Sequence, residues 1–415
     1  MKPTTEQQAI LDHLQTDEAT KSITLVSSIA GSGKTSLLVQ AAKTLNSTAG
    51  IYLAYTKSVA TEATLKFPRG VHCCTTHALA YQAIVKPYKL KLGVFSHRSF
   101  AGKLRTYKER EEAFLLVKEF CLSSHRTIEN LMTTKARKSP SLAAACNKVM
   151  DEMATGKLEC GHEFYLKLFH LYLADGTTTY ETSDLLMLDE AGDLNEVTLE
   201  IFKLLPATRK VLVGDPYQNI FGFNHTVNCF QLLKDIAPIF PMSQSFRTST
   251  AIASRIEGFC KKFLSPDMTF RGVELTDTSI ATRAFITRNN AALINKMMDL
   301  NAEGEAYGLV RSPDQIFNNA LTLCSLKHKG FIHDPAFRFI QAEVDYFFEN
   351  RDTVQQNSVI GYIRAIYPED DTIQQTCRLI AEHGVKAIFD CHKTAKAHYR
   401  KKQSYLLGTA HSVKG

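Results

Sequence analysis

Short apolar runs at Ile23–Ser27, Ile51–Ala54 and Val71–Cys74 alternate with stretches of helical period, one over Thr35–Leu45 and another from about Lys57. Strands buried on both faces read as continuous apolar runs, and strands alternating with helices predict parallel α/β layers. The alternation stops at Lys86-Pro87 and resumes at Asp184, with strands expected at Leu185–Leu188 and Lys210–Val213 around a helix from Asn195 to Leu204. A second α/β stretch opens near Gln244. It predicts a helix from Thr248 to about Phe263, a strand at Ala284–Thr287, a helix from Asn290 and a closing strand at Tyr405–Thr409. Residues 86–175 and 312–400 are helix-rich without strand alternation and read as insertions. Met1–Leu14 is a polar, amphipathic helical pattern, which is not the build of a signal peptide.

Length and charge refine this picture. The 415 residues, 44% of them hydrophobic, suffice for two or more domains. No run approaches the roughly 20 apolar residues of a bilayer-crossing helix. The expectation is a soluble intracellular protein, in the cytoplasm or, in a eukaryotic host, the nucleus. A net charge of +7 permits a polyanionic partner without demanding one. Its distribution says more: residues 86–175 hold 16 Lys/Arg against 10 Asp/Glu, so most of the excess sits there. On charge alone, a solvated helical face explains that stretch as well as a nucleic-acid contact does. The 10 cysteines follow no disulfide framework, and Cys160-Gly161-His162 with His170 lacks a second ligand pair for zinc. Reduced thiols are expected.

The chemistry concentrates in two places. Ser28-Ile29-Ala30-Gly31-Ser32-Gly33-Lys34-Thr35 follows a predicted strand and opens a predicted helix, the context a phosphate loop requires. Gly31 and Gly33 let backbone N–H groups turn toward phosphates, with the helix N-terminus adding its positive end. Lys34 reaches the β- and γ-phosphates of ATP and the Thr35 hydroxyl a Mg²⁺ ion. The second place is Asp189-Glu190, at the C-terminal end of the strand Leu185–Leu188, where α/β folds bind ligands. There Asp189 is the expected metal ligand and Glu190 the group that orients and deprotonates water.

These motifs belong to an ordered set. Gln7, Ala30–Thr35, Thr75-Thr76-His77, Asp189 to Asp193, Gly214-Asp215-Pro216-Tyr217-Gln218, Ser245-Phe246-Arg247 and Thr409–Gly415 occur in helicase order. The chain resembles superfamily 1 DNA helicases of the UvrD/Rep type. Within them it is most similar to the F-box DNA helicase group, through Thr76-His77-x-Leu79-Ala80-Tyr81, Gly214-Asp215-Pro216-x-Gln218-x-Ile220, Gln244–Arg247 and Leu407-Gly408-Thr409-x-His411. No F-box segment is expected among the residues ahead of Gln7.

The resemblance implies a P-loop NTPase with two RecA-like lobes, each carrying a helical insertion. The first lobe would take 1–85 and 176–243, around the basic insertion 86–175. The second would take 244–311 and 401–415, around the insertion 312–400. It implies an ATP-dependent DNA helicase or translocase moving 3′ to 5′ on single-stranded DNA, in repair, recombination or replication, and meeting single strands or their junctions with duplex. It also implies that Gln7 reads adenine and Phe246 stacks on it. Gln218 would sense the γ-phosphate, and Arg247, on the lobe facing Lys34, would act as the arginine finger. Thr56, Lys57, Thr75 and His77 would meet the DNA backbone. Phe221 and Phe223 replace the usual Tyr and Trp of the DNA track, and His411 matches a histidine near the strand.

Three departures stand out. Gly192 takes the place of a common Gln, and Asn224-His225-Thr226 stands where Arg-Gly-Ala is usual. The last residues, Lys414-Gly415, fall within motif V. The second lobe is therefore expected to be incomplete and to lack the motif VI arginine. One reading has a second chain supplying motif VI; another is an ATP- and DNA-binding remnant without unwinding activity. A third, a P-loop NTPase with no DNA substrate, fits poorly with the motifs from Thr56 to Phe223.

Overall fold

The apolar runs of the first stretch become neighbours in one six-stranded parallel sheet. Its strands are β1 (Ile23–Ser28), β2 (Gly50–Ala54), β3 (Val71–Thr75), β4 (Ser183–Leu188), β5 (Ala207–Gly214) and β6 (Ile239–Met242), in the order β3-β2-β4-β5-β1-β6. The computed structural model describes residues 2–135, 139–218, 227–274, 283–326, 332, 337, 340–352, 354–399 and 403–413. They form two compact units, Met1–Thr276 and Asp277–Gly415.

Alternate residues of each strand enter different cores, as a period of two requires. Val26, Tyr52, Met187 and Val211 pack on one face with Ile10, Leu37, Leu38 and Ala60. Those partners come from α1 (Thr5–Leu14), α2 (Lys34–Thr44) and α3 (Lys57–Thr64). On the other face, Leu25, Leu53, Leu186 and Leu212 join a larger core. Here α4 (Thr76–Ala80) passes through a π-helical turn, Tyr81–Val85, into α5 (Lys86–Tyr88). The basic insertion follows as α6 (Tyr107–Leu122), α7 (Ile128–Thr134), α8 (Pro140–Ala154) and α9 (His162–Ala174). Its Leu116, Phe120, Phe164 and Phe169 share the sheet's core. The insertion is thus built onto the sheet, not tethered to it.

Two further helices, α10 (Glu196–Leu204) and α11 (Cys229–Leu233), follow β4 and β5. Beyond β6, β7 (Gln244–Ser249) pairs in parallel with β8 (Arg271–Val273), the two joined by α12 (Thr250–Phe263). The strand continues two residues past the expected helix start because Ser249 caps α12, accepting the Ile252 N–H. Similar hydroxyl caps start α1, α3, α4 and α6, from Thr4, Thr56, Thr75 and Thr106.

The second unit has its own three-stranded parallel sheet. β9 (Arg283–Thr287), β10 (Gly308–Leu309) and β11 (Tyr405–Thr409) lie in the order β10-β11-β9. Its helices are α13 (Asn290–Glu303), α14 (Pro313–Ser325), α15 (Gln341–Glu349), α16 (Val359–Ile366), α17 (Asp371–Tyr399) and α18 (Ala410–Val413). Gly384, at φ 79° and ψ 158°, breaks α17 into two helical segments. Leu293, Met297, Phe317, Ile388 and Leu407 form the core. Among the described residues, no helix is long and apolar enough to cross a membrane, and no three His, Cys, Asp or Glu converge as metal ligands.

Candidate nucleotide site

The loop after β1 is shaped by its glycines. Gly31 and Gly33 take φ of +75° and +84°, backbone conformations that side chains disfavour. Gly33 is the N-cap of α2 and brings no side chain to satisfy the first N–H groups of that helix. Just before it, the Ser32 hydroxyl is buried, 2% exposed, without a protein hydrogen-bond partner among the described residues. An uncapped helix N-terminus, a buried orphan hydroxyl and the adjacent Lys34 together suit an anionic ligand with several oxygens.

Across from the loop, β4 delivers Asp189, 5% exposed. Its Oδ2 accepts hydrogen bonds from Thr35 Oγ1 at 3.1 Å and Tyr52 OH at 3.0 Å, while Oδ1 accepts the Glu190 N–H at 2.8 Å. A hydroxyl and a carboxylate converging at that spacing are oxygen donors of the kind a hard divalent cation takes. Glu190 stands beside Lys34, with Oε1 3.9 Å from Nζ, and holds φ +56°, in the left-handed region. Burial, and then the neighbouring Asp189 charge, push the Tyr52 phenol far above its ordinary range, so it stays a proton donor.

The base-side residues also gather at this loop. Gln7 in α1 is buried; its Oε1 accepts the Thr4 N–H at 3.0 Å and its Nε2 donates to Ser32 O at 3.3 Å. The carboxamide keeps one further donor and one acceptor position. The Phe246 N–H donates to Gly31 O at 2.9 Å, and a Cβ built on Gly31 would lie 3.0 Å from Cβ and Cγ of Arg247. Residues 244–276, grouped from sequence with the second lobe, therefore count with the first compact unit. Glu6 explains why: its carboxylate accepts the Ser243 N–H at 2.8 Å and pairs with Arg271.

After β5, Gln218 Nε2 donates to Asp215 Oδ2 at 2.6 Å. Gly192 lies against this turn. A Cβ there would lie 2.3 Å from Asp215 O, so two main chains meet at this point.

Of the expected nucleic-acid residues, Thr56 and Lys57 are exposed at the start of α3, just after β2. Thr75 and His77 line a cleft of about 640 Å³ at the ends of β2, β3 and β4, with Tyr55, Lys118, Glu163 and Asp193. His411 sits half-buried in α18 of the second unit. Phe221 and Phe223 lie outside the described residues. In the insertion, Lys135 is ion-paired with Glu119, so its charge is partly neutralised at home.

Sequence reasoning passed over Tyr52, Glu6, Ser243 and Arg271. Tyr52 reads as one more apolar strand residue, and the other three look like ordinary surface polar groups. No spacing rule links them.

Comparison with known proteins agrees with this geometry. A profile of the AAA domain family matches residues 12–224. The chain belongs to the AAA domain family. For this domain, membership implies nucleotide binding. Its curated relatives include F-box DNA helicase 1 of Gallus gallus, 26% identical over 365 residues, covering 80% of this chain and 33% of the relative. F-box DNA helicase protein 1 of Schizosaccharomyces pombe (strain 972 / ATCC 24843) is 25% identical over 308 residues, covering 65% of this chain and 34% of the relative. The domain thus spans about a third of the length of these relatives. It is a P-loop, helicase-like NTPase domain related to them. The Hef helicase domain of Pyrococcus furiosus aligns over 95% of this chain and 69% of its own at 12% identity, with a TM-score of 0.23. That superposition is too loose to define a shared fold.

Proposed function

We propose that this domain is the ATP-hydrolysing part of a DNA helicase or translocase. The observation that carries the reading is the hydrogen bond from Thr35 Oγ1 to Asp189 Oδ2, 3.1 Å long. It joins a phosphate loop to an acidic strand end at the carboxyl edge of a parallel sheet, the place where such folds bind ligands.

Within this reading, Lys34 and the N-terminus of α2 hold the phosphates of ATP, and Gln7 and Phe246 take the adenine. Thr35 and Asp189 are the residues that would hold Mg²⁺, which would supply positive charge to offset the negative charge developing on the phosphates. Glu190 accepts the proton of the attacking water. Arg247, beside Gly31, presents a guanidinium to the phosphoryl group as it leaves. Gln218, bonded to Asp215, is the group through which hydrolysis is sensed.

DNA is the favoured polymer because the relatives are named DNA helicases and Thr56, Lys57, Thr75 and His77 cluster at strand ends of the same sheet. Hydroxyl and basic groups there contact phosphates without reading sequence. Travel from 3′ to 5′, an aromatic track at Phe221 and Phe223, and a second RecA-like lobe built on the β10-β11-β9 sheet with His411 belong to the same proposal.

The test is ATP turnover with and without single-stranded DNA. Stimulation by DNA that disappears in Lys34→Ala supports the motor. DNA binding with no turnover identifies an ATP- and DNA-binding remnant. Failure to bind DNA even at low salt, where phosphate contacts are strongest, excludes both.

A further inference from the structure

We infer that Tyr52 is a positioning residue for the cation site: its phenol fixes which way the Asp189 carboxylate presents itself. The inference rests on the reading of Asp189 as the Mg²⁺ ligand. Tyr52 lies in β2, fully buried, with its ring packed on Phe67 at 4.7 Å between centroids. From there its hydroxyl donates to Asp189 Oδ2 at 3.0 Å. The same oxygen receives Thr35 Oγ1, and Oδ1 receives the Glu190 N–H.

The strand β2 therefore grips Asp189 twice. Leu53 O accepts the Asp189 N–H at 3.1 Å, fixing the main chain, and Tyr52 fixes the side chain. Without Tyr52, Oδ2 would be held by Thr35 alone and the carboxylate could turn about its Oδ1 contact to the Glu190 N–H whenever that hydroxyl went to a cation. With Tyr52 as a second anchor, Thr35 can exchange its partner while the carboxylate keeps its plane. Hydrogen bonds of this outer kind set ligand orientation, and their loss typically weakens metal affinity about 10–100-fold.

The experiment compares the full chain with Tyr52→Phe, which removes one oxygen and keeps the packing on Phe67. Binding of a fluorescent N-methylanthraniloyl ATP is followed as Mg²⁺ is titrated, then repeated in excess EDTA. The expected result is a half-saturating Mg²⁺ concentration raised about tenfold or more in the variant, with EDTA-state affinity unchanged. Unchanged half-saturation overturns the inference, as does equal loss of binding in EDTA, which marks general damage. If the wild-type chain shows no Mg²⁺-dependent binding, the Asp189 reading itself fails, and that result needs no variant.

Discussion

Arg271 Nη2 lies 2.5 Å from Glu6 Oε1, and this pair ties α1, the helix bearing Gln7, to β8, which pairs with the strand bearing Phe246 and Arg247. Arg271 is 60% exposed, so the ion pair itself contributes at most about 1 kcal/mol to stability. Its use is geometric. Glu6→Ala should leave the melting temperature within a few degrees of wild type while weakening ATP binding roughly three- to tenfold. Fluorescent-nucleotide titration beside a thermal melt checks this. Equal affinity in the variant would remove the clamp from the site.

Lys34 and Glu190 are neighbours to which the proposed function gives different duties, and substitution should separate them. Lys34→Ala is expected to weaken ATP binding more than tenfold, because a buried phosphate contact to a charged group disappears. Glu190→Gln keeps shape and hydrogen bonding but removes the base. Nucleotide affinity should hold, and turnover should fall about 10²- to 10⁴-fold. Single-turnover hydrolysis, with binding measured separately, distinguishes the two.

The turn after Asp189-Glu190 tolerates no side chain at Gly192. A Cβ there meets a backbone oxygen at 2.3 Å, and backbone cannot rotate away. Gly192→Gln should destabilise the unit by about 2–3 kcal/mol. A differential scan should show a drop of several degrees, and an unchanged melt would contradict the contact.

His170 predicts an acid-sensitive insertion. Burial, then the nearby charges of Lys167 and Arg126, hold its imidazole down to about 3 from an ordinary 6.5. Below pH 6.5 the unfolded chain therefore takes up a proton that the folded chain refuses. The unfolded state binds more protons, so stability falls as pH drops through this window. At pH 5 the cost is about 2 kcal/mol. His170→Gln should flatten the fall in melting temperature between pH 6.5 and 4; an unaltered slope would assign it to other groups.

Strands of both sheets were legible where they are short apolar runs beside helical patterns. The strand expected at Tyr405–Thr409 has those bounds in the structure, and that at Ile51–Ala54 starts one residue earlier. β6 is not evident in the sequence: Ile239–Met242 contains Pro241, which sequence rules demote, and it survives as one of the sheet's two edge strands. The phosphate loop was legible because its chemistry is contiguous in the chain. Tyr52 was not, since its reach to Asp189 spans two strands and exists only once β2 and β4 pair. Arg247 was read as standing across a cleft from Lys34. Its place beside Gly31 depends on Glu6, Ser243 and Arg271, polar residues far apart in sequence whose meeting no periodicity announces.

Glu190 keeps a left-handed backbone at φ +56°, where a glutamate is held at a cost of about 1–2 kcal/mol. Glycine would relax there, and asparagine nearly so. On the proposed role of Glu190 as the base, a laboratory selection for heat resistance alone would therefore drift toward Glu190→Gly or Glu190→Asn and enrich well-folded proteins that do not turn over. At this position robustness and turnover pull in opposite directions, and any screen of the domain needs a catalytic readout to keep them together.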